Sequence, residues 1–342
     1  MTMTRIADWR RAAHAAGRTA AAAVARVVAL AATALLLALG PSHAGAKGPA
    51  AYEGYAELSG VRLWYVDTGG YGPVVVLLHS NTGTSQTWKP QYGPLSAAGY
   101  RVIAFDRRGW GKSLANPATG PQPGTIAEDL HMLVERLGIR RFHLVGIAGG
   151  TFAALDYAAL HPDRVVSLVA AASTASLQDP EEVAYRARIT PPGFGSLPSR
   201  FRELSPSYLG ANPQGTAEWE SIDAQARQPN SPSQPLVTPN TYAKLERIAT
   251  RTLLMAGDAD LYAPPDLMRQ WGSYLPNAEY VLVREAGHMI AWEQPEVFNR
   301  CTLKFLRGFR GDDLFPAHGL RLRPVLTKRI NRCASDEADF PE

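Results

Sequence analysis

The sequence predicts an α/β fold: a mostly parallel eight-stranded sheet with helices on both faces and a helical cap inserted between two of its strands. Short apolar runs rich in valine, isoleucine and leucine recur along the chain. Helical periodicity fills most gaps between them, and one long segment, 175–246, breaks the alternation.

The elements follow in order. Residues 55–66 alternate as an antiparallel opening strand or hairpin would. The runs at 74–78, 101–105, 142–145, 165–170, 252–255 and 280–283 are continuous, as expected of strands covered on both faces. The clearest helix runs over 126–137, where Ile126, Leu130, Leu133, Val134 and Leu137 share one face. Thr125 and Glu128 have capping-box spacing at its start, and Gly138 follows its end. A second helix begins near Gly149 and stops before Pro162. The stretch 175–246 is rich in Pro, Gly and Ser, with aromatic residues spaced through it, and is too long for a plain loop. The resulting organisation is 1–46 signal peptide, 47–174 first part of the core, 175–246 cap, 247–310 second part of the core and 311–342 tail.

The N-terminus carries most of what looks basic. Residues 1–46 hold Arg5, Arg10, Arg11, Arg18 and Arg26 against the single acid Asp8. Of the chain's 35 basic and 31 acidic residues, 30 of each remain without that segment. A balanced folded part gives no support to a nucleic-acid partner. A charged stretch, an apolar run over 27–39 and small residues around Ala44 and Ala46 have the layout of a secretory signal with cleavage after one of those alanines. A run of thirteen residues, apolar except for Thr33, is short for a bilayer span, so no stable membrane span is expected once the signal is removed. An uncleaved N-terminal anchor is the alternative, because the alanine-rich stretch upstream would lengthen the helix. The expected location is secreted or periplasmic. Cys301 and Cys333 are the only cysteines; they either pin the tail to the last helix as a disulfide or remain thiols.

Four motifs carry chemistry. Phe142 to Gly150 reads FHLVGIAGG, a buried strand, a turn flanked by Gly146 and Gly150, and an immediate helix. Such a turn presents its central residue on strained backbone, where glycines admit close neighbours. The central residue here is Ala148. His79-Ser80-Asn81 follows the strand at 74–78. Gly257-Asp258-Ala259-Asp260 follows the strand at 252–255, and Gly287-His288 with Glu293-Gln294-Pro295 closes the series.

Together these resemble the α/β-hydrolase superfamily, of the type with a cap insertion, over residues 55–310. The resemblance implies a nucleophile position at Ala148, an acid at Asp260 in preference to its neighbour Asp258, and a general base at His288. It implies an oxyanion hole from the N–H groups of Asn81 and Gly149. Ser80 stands where the family usually has glycine, a departure beside the first of those donors. The segment from Asp106 to Ser113 resembles the family's D-x-R-G-x-G-x-S loop, whose role is structural. His79, Ser80, Trp110 and Trp292 are the expected pocket residues, and the cap's aromatics suggest a largely apolar, small-molecule ligand. No metal or organic cofactor is implied.

A methyl group cannot attack a carbonyl, so alanine at position 148 leaves three readings open. A serine hydrolase whose serine was replaced would be inactive; in that lineage the reaction is hydrolysis of a small ester, lactone or amide. An enzyme without a covalent nucleophile would work through a His288–Asp260 dyad and the two N–H donors. A non-catalytic protein would use the same cavity to hold a ligand or partner.

Overall fold

The computed structural model describes residues 50–308. Segment 1–46 and the tail beyond 308, and with them the signal-peptide expectation, Cys333 and the disulfide expectation, lie outside them; Cys301 is buried.

The strands are β1 (Tyr52–Leu58), β2 (Val61–Asp67), β3 (Val74–Leu78), β4 (Arg101–Phe105), β5 (Leu114–Ala115), β6 (Phe142–Ile147), β7 (Val165–Ala171), β8 (Thr252–Gly257) and β9 (Ala278–Val283). Eight of them form one path, β1-β2-β4-β3-β6-β7-β8-β9, and the two-residue β5 pairs with the edge of β2. The pairs β1/β2 and β2/β4 are antiparallel. From β4 to β9 every pair is parallel. The expected eight-stranded, mostly parallel sheet is present, with β5 as a small addition.

The helices of the sheet domain are α1 (Lys89–Ala97), α2 (Ile126–Arg136) and α3 (Gly149–Leu160). Helices α4 (Pro180–Ile189), α5 (Ser199–Glu203), α6 (Pro206–Ala211), α7 (Pro213–Ala226) and the one-turn α8 (Tyr242–Leu245) follow β7. Then come α9 (Pro265–Gly272), α10 (Ile290–Glu293) and α11 (Pro295–Arg307). Alternate strand residues feed two cores. Val76, Leu78, Ile103, Leu144, Leu168 and Leu254 pack with α2, α3 and α9 on one face. Val75, Leu77, Val102, Val145, Val169 and Leu253 pack with α1 and α11 on the other. That two-sided burial is why these strands read as unbroken apolar runs. Helix α2 starts as its sequence demands, with Thr125 Oγ1 accepting the Glu128 N–H at 3.1 Å. Gly138 follows it in the left-handed region at φ +66°.

The segment after β7 is helical, as expected of a cap, but its ends belong to the sheet domain. Ala175 and Leu177 at one end, and Tyr242, Leu245 and Ile248 at the other, are buried in the core that packs on α3. The helices α4 to α7 lie between them. Among the described residues no helix is long and apolar enough to cross a membrane.

The strand order changes direction between β3 and β6: β3 is followed across the sheet by β4 on one side and β6 on the other. Loops after these two strands diverge to opposite sides and open a crevice at the strands' carboxyl ends, where α/β sheets place their ligand sites. His79 to Thr82 and Ala148 occupy those loop positions.

Candidate active site

Ala148 sits between β6 and α3 at φ +51°, ψ −119°, backbone that an L-residue holds only under constraint. Its N–H donates to Ala171 O at 3.0 Å, and Ser173 Oγ donates to its carbonyl, also at 3.0 Å. Gly150 makes the turn possible, because a Cβ there would lie 2.2 Å from Leu78 O. Thr151, the adjacent hydroxyl, is committed to Gly146 O at 2.9 Å and does not replace the missing one.

His288 lies in the loop after β9. Its Nδ1 is 2.8 Å from Asp260 Oδ2, which leaves Nε2 for the cavity. Asp260 is held in turn: its Oδ1 accepts the N–H groups of Tyr262 and Ala263, each at 2.8 Å. Its rival Asp258 is exposed. Burial works to lower the His288 pKa, but Asp260, Glu203 and Glu293 outweigh it, and the imidazole ends above its ordinary 6.5. Tyr262 stacks on the ring with centroids 4.9 Å apart. Glu293, of the closing motif, accepts from the N–H groups of Gly287, Met289 and Ser205 and so fixes the loop beneath His288.

Asn81 stands beside Gly149; a Cβ on that glycine would meet Asn81 Oδ1 at 2.6 Å. Arg107 donates to Asn81 Oδ1 at 3.0 Å, and Trp110 Nε1 donates to Asn81 O at 2.7 Å. Among the described residues, no protein acceptor pairs with the backbone N–H of Asn81 or of Gly149. Asp106 holds its own loop, accepting the N–H groups of Ser85 and Lys112.

Ser80, Asn81, Ala148, Gly149 and His288 line one cavity of about 450 Å³. A second of about 470 Å³ adjoins it, sharing Asn81, Gly149, Phe152 and Ser176. Three pocket expectations need correction. His79 lines neither cavity: it is fully buried, with Nδ1 2.7 Å from Ser80 O and Nε2 accepting the Arg107 N–H at 3.0 Å, and it joins two loops. Trp292 packs with Leu204, Trp219 and Met289 under the cap and donates to Gly215 O. Trp110 lines the second cavity, not the one over Ala148. Of the cap's aromatic residues, Trp219 and Tyr208 pack in the cap's own core, Tyr185 and Tyr242 pack with the sheet-domain core and Phe201 is exposed. None lines the cavity over Ala148, whose wall mixes Thr82, Thr174, Ser176, Thr190 and charged residues with Phe152, Ile189 and Leu261.

Three wall residues carried no sequence signal. Glu203, at the end of α5, accepts from Thr82 Oγ1 at 2.6 Å, and its backbone carbonyl accepts the His288 N–H at 2.7 Å. Burial pushes its carboxyl above the ordinary range. Arg186 and Arg202 are the other two. They lie in a segment without motif spacing, and only the fold brings them to His288. No cluster of metal-ligating side chains occurs among the described residues.

A β6–turn–α3 unit with Ala148 at its apex, joined in one cavity by an Asp-supported histidine, defines a protein of the α/β-hydrolase class. The chain belongs to the alpha/beta hydrolase fold family, whose model matches residues 73–295. It is 30% identical over 277 residues to a 2-hydroxy-6-oxononadienedioate/2-hydroxy-6-oxononatrienedioate hydrolase of Paraburkholderia phymatum, covering 74% of this chain and 93% of that one. It is 28% identical over 253 residues to a putative non-heme bromoperoxidase of Mycobacterium tuberculosis, covering 70% and 95%. Among solved structures, the enol-lactonase from Burkholderia xenovorans matches with a TM-score of 0.62 and 25% identity, over 74% of this chain and 99% of that one.

Proposed function

We propose that this chain is a hydrolase of small esters, lactones or amides whose reaction centre is the cavity over Ala148. With a methyl at position 148, His288 acts as the general base for a bound water. Water attacks the carbonyl carbon while its proton passes to His288 Nε2. The oxyanion so formed is held by the Asn81 and Gly149 N–H groups. Collapse breaks the bond to the leaving group, which takes the proton back from the imidazolium. Asp260 keeps the ring in the tautomer that exposes Nε2 as acceptor and supports the imidazolium.

The observation that carries this reading is the 2.8 Å contact of His288 with Asp260 in the cavity that Ala148 lines. Membership of the family and relatives named as hydrolases support it. The N-terminal segment 1–46 fits export, with the work done outside the cytoplasm.

The methyl group itself favours a second reading, ligand binding without turnover. A panel of esters and lactones assayed with the chain, His288→Ala and Ala148→Ser separates the two. Slow hydrolysis that disappears in His288→Ala supports the dyad. Background rates in the chain, unchanged by His288→Ala, would leave binding as the function.

A further inference from the structure

The cavity over Ala148 carries two positive charges that no ion pair among the described residues neutralises. Arg186, on α4, and Arg202, on α5, both line it. The ion pairs of the described residues involve other arginines. Arg186 donates to Leu177 O at 2.7 Å. Arg202 donates to the Tyr262 hydroxyl at 2.9 Å and to Ser199 Oγ at 3.3 Å. All three acceptors are neutral, and the Nε of both arginines is buried with no acceptor among the described residues. The acids that act on them, Glu182 on Arg186 and both Asp223 and Glu203 on Arg202, do so from beyond ion-pair distance. Glu203, in the same wall, is engaged by Thr82.

Both arginines are half-buried with only their Nε atoms shut off from water, and the planar fork of a guanidinium suits a carboxylate. Both arginines belong to the cap, whereas Ala148, Gly149 and His288 belong to the sheet domain. We propose that this cavity binds a small carboxylate-bearing molecule, its carboxylate between Arg186 and Arg202 and its reacting end over Ala148. The inference rests on the reading that this cavity is the reaction centre, and it deepens that reading by naming the charge of the substrate.

Binding is measured by calorimetry on the chain as it stands, so no turnover is needed. Glutarate and benzoate are the probes, with dimethyl glutarate and methyl benzoate as their neutral counterparts. The acids bind saturably at millimolar concentration, and each ester binds at least tenfold more weakly. Arg186→Gln and Arg202→Gln each weaken acid binding at least tenfold, and Arg247→Gln, an exposed arginine outside the cavity, leaves it unchanged. The acid–ester comparison needs no variant, so a folding defect in either arginine variant does not blunt the test. Equal binding of acid and ester, no saturable acid binding, or acid binding indifferent to both folded arginine variants would overturn the proposal. Acid binding without hydrolysis by any variant would count against the hydrolase reading alone, and hydrolysis of neutral esters without acid binding against this one alone.

Discussion

The His288 N–H donates to Glu203 O at 2.7 Å, so the backbone of the cap is hydrogen-bonded to the backbone of the residue that carries the imidazole. The cap and the histidine loop are therefore joined backbone to backbone, along a seam that no motif marks.

Gly287 is what lets that seam close. A Cβ on it would lie 2.7 Å from Ser205 N and 2.8 Å from Glu203 O, both backbone atoms that cannot swing aside. Gly287→Ala is expected to lift α5 from the loop at a cost of about 1–3 kcal/mol, the usual range for overpacking. Thermal unfolding measures the loss, and limited proteolysis detects new cleavage between 199 and 212. A variant as stable and as protease-resistant as the parent would contradict the tight seam.

The pH dependence follows from the raised His288 pKa. Its base form dominates only above that value, so hydrolysis should rise with pH through a midpoint above 6.5. Stability runs the other way. The increment from protonated His288 is fully present below the unfolded value near 6.5 and is lost as pH rises through the folded one. Asp260→Asn removes the largest attraction and leaves burial, so the midpoint should fall below that of the parent. Glu203→Gln should lower it by less. Histidine titration by NMR reads all three proteins without a substrate, and an unchanged midpoint in Asp260→Asn would sink the explanation.

Asp129 pairs with Arg108 at 2.6 Å, and both side chains are almost wholly buried. Burial pushes the Asp129 carboxyl above its ordinary range, although Arg108 and Gln234 pull it down. Gln234 also donates to Asp129 Oδ2 at 2.8 Å, tying the loop after α7 to α2. Asp129→Ala strands the Arg108 charge and should cost roughly 3–5 kcal/mol. Denaturant unfolding gives the figure, and a loss below about 1 kcal/mol would show that water reaches the guanidinium easily.

The sheet was legible because each central strand is buried on two faces, which leaves a continuous apolar run, and because turn chemistry punctuates those runs. Only the resemblance to the family's motif singles out Asp260 over Asp258; the first is buried and the second exposed. Tertiary packing decided what sequence could not. Trp292 sits four residues after His288, yet its ring turns under the cap to meet Trp219 and away from the cavity. Glu203, Arg186 and Arg202 come from short polar helices that only the tertiary fold brings to one cavity with His288, so neither periodicity nor spacing foretold them.

In the proposed site, position 148 faces His288 Nε2 beside the N–H groups of Asn81 and Gly149. The most direct measurement is labelling of Ala148→Ser by a fluorophosphonate, with the modified peptide mapped by mass spectrometry. The expected result is stoichiometric labelling at position 148, slowed by on the order of a thousandfold or more when His288→Ala is added, and none at that position in the parent. A hydroxyl at 148 that stays unreactive in a folded protein, or labelling indifferent to His288, would contradict it.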